Sequence, residues 1–130
     1  MIGASDIAVR AALNLMVGRI AASAPRPFVG GRVRVGDIVD DVAWHTGLKR
    51  ADIIGPGRDQ RHFRARAAVC WLALDLKVAS LTQIGAVLGG RDHSTILSAR
   101  RRADDMRARD PAFLMLTERL RERYRGLKEN

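Results

Sequence analysis

Residues 80–96 read Ser80-Leu81-Thr82-Gln83-Ile84-Gly85-Ala86-Val87-Leu88-Gly89-Gly90-Arg91-Asp92-His93-Ser94-Thr95-Ile96. Ser80 and Gln83 have the spacing of a capping box, in which the two side chains satisfy each other's free amides at a helix start. The spacing predicts a short helix over 81–88, with Leu81, Ile84 and Val87 or Leu88 facing inward. Gly89-Gly90 then makes a tight turn, because glycine adopts backbone conformations closed to other residues. Asp92 can cap a second helix over 93–108. A short helix, a glycine turn and a second helix form the helix-turn-helix layout. The first residues of its second helix normally meet base edges in the DNA major groove. Here they are Asp92, His93, Ser94 and Thr95, all hydrogen-bonding types.

The flanks extend the same pattern. A helix over 36–46 turns Ile38, Val39, Val42 and Ala43 inward, and Gly47 ends it. A helical turn over 49–54 brings Ile53 and Ile54 to the core, and Gly55-Pro56-Gly57 breaks the chain. A long helix over 60–77 carries Phe63, Ala67, Cys70, Trp71 and Leu74 at spacings of three and four. A last helix runs over 111–126, with Pro111 suited to its first turn. Upstream, residues 5–22 form a helix with a broad apolar face, including Ile7, Ala11, Leu15, Met16 and Ile20. Pro25, Pro27, Gly30 and Gly31 follow it as a linker. No strand alternation appears, so the expected class is all-α. The expected division is an N-terminal helix and linker over 1–33 and a helix-turn-helix domain over 34–127.

Composition narrows the function. The chain has 130 residues, 47% of them hydrophobic, which excludes a compositionally disordered protein. One cysteine, Cys70, excludes an internal disulfide framework and a cysteine-rich zinc site. No apolar run reaches membrane-spanning length. Ala21-Ala22-Ser23-Ala24 has the look of a signal-peptide cleavage site, but Asp6, Arg19 and the lack of a basic start argue against one. A reducing, cytoplasmic setting is expected. The net charge of +9 points to a polyanionic partner. Residues 58–103 hold nine basic against three acidic side chains, two thirds of that net charge. Arg58, Arg61, Arg64 and Arg66 crowd the start of the long helix, where cations oppose the helix dipole. That arrangement suits phosphates better than it suits the helix. Arg91 in the turn and Arg100, Arg101 and Arg102 beyond it can also reach phosphates.

Ser80-Leu81-Thr82-Gln83-Ile84-Gly85, Gly89-Gly90-Arg91-Asp92-His93-Ser94-Thr95-Ile96 and Ala99 together resemble the signature of the bacterial DnaA replication initiators. The resemblance is to their C-terminal, Trp-repressor-like DNA-binding domain, and it covers about residues 34–126. It includes Ile38, Val42 and Ala51-Asp52-Ile53-Ile54. It implies that Arg58 enters the minor groove and that Arg64 and Arg66 lie near the DNA backbone. Leu81 and Thr82 would approach thymine methyls, Asp92, His93 and Ser94 would read bases, and Thr95 would hold a phosphate. An Asp accepts from a base amino group, and apolar groups meet the thymine methyl. The sequence departs from the family at Thr82, usually proline, and at Ser94, usually threonine. It also departs at Ala65 and Ala67, commonly proline and glutamine, and Ala67 loses a phosphate contact. No G-x-x-x-x-G-K-[ST] phosphate loop is present, so no ATPase is expected and the chain reads as a free-standing copy of the DNA-binding part.

The plainer readings bear on single residues. Asp92-His93-Ser94 contains the letters of a hydrolase triad, but consecutive helical residues do not face one another, so no catalytic role is expected. Asp92 also serves as a plain helix cap. His45 and His62 lie in no metal-spaced cluster, so neither metal nor cofactor is expected. Cys70, Trp44 and Trp71 read as packing residues, and Arg119, Arg121, Arg123 and Arg125 among Glu118 and Glu122 as a salt-bridged solvated face. The expected function is sequence-specific binding of double-stranded DNA at boxes like the initiator's, regulating replication initiation or transcription. The alternative is an interaction module that modulates the initiator or its regulators through helix 5–22, whose wide apolar face also suits a homodimer.

Overall fold

The computed structural model describes residues 32–129, with side chains to residue 126. Six helices follow in order among the described residues: α1 (Val35–Thr46), α2 (Arg50–Ile54), α3 (Gln60–Asp75), α4 (Leu81–Val87), α5 (His93–Arg109) and α6 (Pro111–Glu129). No strand accompanies them in that range, and the class is all-α. The expected helix over 5–22 and nearly all of its linker lie outside the described residues.

The long helix α3 is the axis of the domain. Residues 65–73 are buried on every side, which a surface helix with one apolar stripe would not be. Ala65, Ala67, Ala68 and Ala73 keep its girth small, so α1, α5 and α6 pack closely against it. Cys70 fills a gap there as a small apolar group, and burial pushes its thiol up to about 12. Asp59 caps α3 by accepting the Arg61 amide at 2.8 Å, so an acid does stand where the helix dipole favours one. At the other end α3 stops two residues short of the expected boundary. Lys77 adopts a left-handed backbone (φ 56°), which ends the helix and sends the chain towards α4.

The remaining helices close the core around that axis. α1 buries Ile38, Val39 and Val42 completely and ends at Gly47, whose φ of 75° only glycine adopts cheaply. Buried His45 places Nδ1 2.7 Å from the Asp41 carbonyl oxygen, and burial pulls its pKa below the usual imidazole value. α6 returns across α1, where the Tyr124 hydroxyl donates to Asp41 Oδ2 at 2.6 Å in a buried pair. Between α3, α5 and α6 the Trp71 ring carries two guanidinium groups, with Arg107 Cζ 3.8 Å and Arg121 Cζ 5.5 Å from its centre. The indole N–H donates to Asp104 Oδ1 at 2.9 Å. Arg107 donates to Thr117 Oγ1 and Glu118 Oε1, each at 2.5 Å. Arg121 is therefore not part of a solvated face as expected: its side chain is 22% exposed and is drawn inward by the indole face and by Asp75 and Glu118. Trp71 packs as expected.

Candidate nucleic-acid interface

The helix-turn-helix is built from the predicted parts. The Ser80 hydroxyl oxygen accepts the Gln83 amide at 3.2 Å, and Gln83 Oε1 accepts the Ser80 amide at 2.9 Å, so the capping box is formed. After α4 the chain doubles back onto Gly85, whose carbonyl accepts the Gly90 and Arg91 amides at 2.9 Å each. A Cβ on Gly85 would stand 2.0 Å from the Arg91 carbonyl oxygen, so this position has room for glycine alone. Gly89 and Gly90 have φ of 84° and 81°. Ile96, Ala99 and Ala103 bury one face of α5, mainly against α3, and leave its start on the surface.

That start carries the predicted readers. Asp92, His93, Ser94 and Thr95 are all exposed. Asp92 stands at the cap position, but its carboxylate makes no regular capping hydrogen bond. It gathers its neighbours instead: Ser94 Oγ donates to Oδ2 at 2.6 Å, and His93 Nδ1 lies 3.2 Å from Oδ1. The Ser94 hydrogen bond holds the Asp92 carboxyl below the usual carboxylate range, so it remains an ionised, acceptor-only group. Leu81 is half-buried at the start of α4, and Thr82 beside it is exposed.

The basic loop lies beside the turn, because the end of α2 packs against it. Arg91 donates from Nη1 to the Ile54 oxygen at 3.0 Å and from Nη2 to the Gly55 oxygen at 2.8 Å. Arg58 and Arg61 are exposed, the latter 3.6 Å from Asp59. Arg64 is half-exposed, pairs with Asp110 at 2.6 Å and lies 5.9 Å over the Phe113 ring. Arg66 departs from the expectation that it lies near the DNA backbone. It is 7% exposed, and its guanidinium donates to the carbonyls of Asp52, Ile53, Gly55 and Gly57. Arg91 likewise turns inward rather than out to phosphates. The reason is shared: the last carbonyls of a helix lack partners within it, and these two cations supply donors. A cavity of about 540 Å³ opens between α3 and the start of α5, with Phe63, Ser94, Thr95 and Arg102 in its walls. Arg102 Cζ sits 5.1 Å over the Phe63 ring there.

Sequence reasoning passed over Leu97. It is 39% exposed, a large apolar side chain left in solvent. It lies four residues after His93 and three after Ser94, which places it on their stripe of the helix. That spacing was available in the sequence. No group of three or more His, Cys, Asp or Glu residues placed to hold a metal ion occurs among the described residues.

These elements define a helix-turn-helix protein with a basic loop fastened beside its recognition helix. Residues 35–103 match the family described as the bacterial dnaA protein helix-turn-helix, and the chain belongs to that family. It is 41% identical over 95 residues to the chromosomal replication initiator protein DnaA of Caulobacter vibrioides (strain NA1000 / CB15N), covering 73% of this chain and 19% of that protein. It is 36% identical over 86 residues to the same-named protein of Thermus thermophilus, covering 66% of this chain and 20% of the relative. The chain thus spans about one fifth of the length of the curated relatives it matches. A crystal structure of a DNA replication initiation factor superimposes with a TM-score of 0.61 at 28% identity, covering 69% of this chain and 27% of that one. The match falls on the DNA-binding helix-turn-helix domain of the initiators, not on an ATPase domain. No helix among the described residues is long and apolar enough to cross a membrane.

Proposed function

We propose that this chain binds double-stranded DNA at sites like the boxes of the DnaA initiators, and regulates replication initiation or transcription by occupying them. The observation that carries the reading is the exposed row Asp92, His93, Ser94 and Thr95 at the start of α5, held beside the exposed Arg58 of the basic loop. One supplies acceptors, donors and hydroxyls for major-groove edges. The other supplies a cation to the adjacent minor groove, where the potential is most negative over A·T pairs. Thr95 at the helix start suits a phosphate oxygen. Leu97 extends the row with an apolar group suited to a thymine methyl, alongside Leu81 and Thr82. Arg101 and Arg102 lie further along α5 and suit phosphates, as do Arg61 and, once released from Asp110 at the far end of α5, Arg64. Asp92 prearranges the readers, so less rotamer freedom is lost on binding.

The test is a binding titration at fixed salt against a box duplex and a scrambled duplex. The box should be preferred, and His93→Ala should lower that preference by roughly 1–3 kcal/mol. Arg58→Ala should weaken binding and relax the preference for A·T pairs at the minor-groove positions. Equal binding to both duplexes by the wild type overturns the reading.

A further inference from the structure

We infer that Arg66 and Arg91 are positioning residues that clamp the basic loop to the recognition turn, so that both grooves of one duplex are met by a single rigid unit. The inference rests on the DNA-binding reading above for its purpose, but the clamp itself stands on geometry. α2 has only five residues and cannot fix the loop that follows it. Its carbonyls and those of the loop are held from two directions. From α3, Arg66 reaches the Ile53 and Gly55 oxygens at 3.3 Å each and the Gly57 oxygen at 2.6 Å. From the turn, Arg91 reaches the Ile54 and Gly55 oxygens and its own Leu88 oxygen. Gly55 is gripped by both.

Each clamp sits one residue from a reader. The Gly57 carbonyl belongs to the planar peptide unit that ends at the Arg58 Cα. Holding that oxygen therefore fixes where the Arg58 Cα stands, the point from which its side chain departs. Arg91 itself precedes Asp92. Backbone contact tightens the joint further: a Cβ on Gly89 would stand 2.5 Å from the Ile54 oxygen. The chemistry requires arginine. A guanidinium presents several donors in one rigid plane and spans neighbouring carbonyls, whereas an ammonium is a point charge. Two cations converging on one carbonyl is a costly arrangement, and burial together with Arg91 disfavours the charge of Arg66.

The experiment uses the full chain in two arms. In hydrogen exchange of the free protein, Arg91→Ala should speed exchange of the amides of Gly55, Gly57 and Arg58 by about tenfold or more, with the α3 amides unchanged. In DNA titrations, Arg91→Ala should cut the preference for the box about tenfold in the wild-type background, and about threefold or less when Arg58 is already Ala. Should Arg91→Ala not fold, Arg91→Lys is read in the same two arms, with the same expected directions. Unchanged loop exchange, or equal losses with and without Arg58, overturns the inference. A wild type with no preference for the box overturns the proposed function instead, and the exchange arm alone then decides the clamp.

Discussion

Two pairs of inward-turned arginines sit in opposite settings. Arg107 and Arg121 flank Trp71 and meet carboxylates: Glu118 pairs with both, and Asp75 lies 3.7 Å from Arg121. The Arg107 hydrogen bond holds the Glu118 carboxyl below its usual range, as expected where opposite charges cancel. Arg66 and Arg91 meet only carbonyl oxygens, and no carboxylate lies within ion-pair distance of either among the described residues. Carbonyl dipoles satisfy the donors without cancelling the charge. The back of the domain is thus locally neutral, while the face behind Arg58 and Asp92 stays positive. The partner of a buried arginine separates the two purposes: acids for cohesion, carbonyls where a positive field is wanted.

On that division, variants of the back should lose stability and spare DNA preference. Trp71→Ala should have the largest effect, about 3–5 kcal/mol of unfolding free energy in urea melts, because it opens a cavity and strips two guanidinium groups of their shared face. The folded fraction should keep its box preference, and a changed preference would break the comparison. Gly85→Ala strikes the front itself. Its new Cβ forces the turn away from the Arg91 carbonyl, costing about 3 kcal/mol and the box preference together. Tyr124→Phe leaves the buried Asp41 carboxylate without its hydroxyl donor and should cost about 1–3 kcal/mol.

That last variant carries a pH signature. Burial and the Asp41 charge raise the Tyr124 phenol above its ordinary 10.0. The folded state therefore holds this proton more tightly than the unfolded state, and stability is fully present below pH 10 and falls as the pH rises above it. Tyr124→Phe should remove that alkaline slope. The smallest effect belongs to Arg101→Ala, an exposed cation on α5. Its stability should stay within about 0.5 kcal/mol of wild type. The slope of log K against log salt should drop by about one phosphate contact, and an unchanged slope removes Arg101 from the interface.

The helices were legible because their punctuation is local. Ser80 with Gln83, Gly47, Gly55-Pro56-Gly57 and Pro111 each act within a few residues, and the boundaries follow them closely. The exposed row proposed to read bases could be placed for the same reason: it begins where α5 begins. The directions of the arginines were not. A run of cations before a helix looks alike whether it meets phosphates or carbonyls, and Arg91 finds the Ile54 oxygen 37 residues away along the chain. Arg121 misled in the same way, since its alternation with glutamates gave no hint of the indole of α3 beneath it. Asp92 fits both a cap and a reader by position, and only the Ser94 and His93 contacts show where its oxygens go.

The Tyr124–Asp41 hydrogen bond joins positions 83 residues apart. During synthesis the carboxylate of Asp41 leaves the ribosome long before the hydroxyl that will satisfy it exists. Until residue 124 has emerged, α6 does not cover α1 and water solvates the Asp41 carboxylate, so this buried pair is completed only when nearly the whole domain has been made.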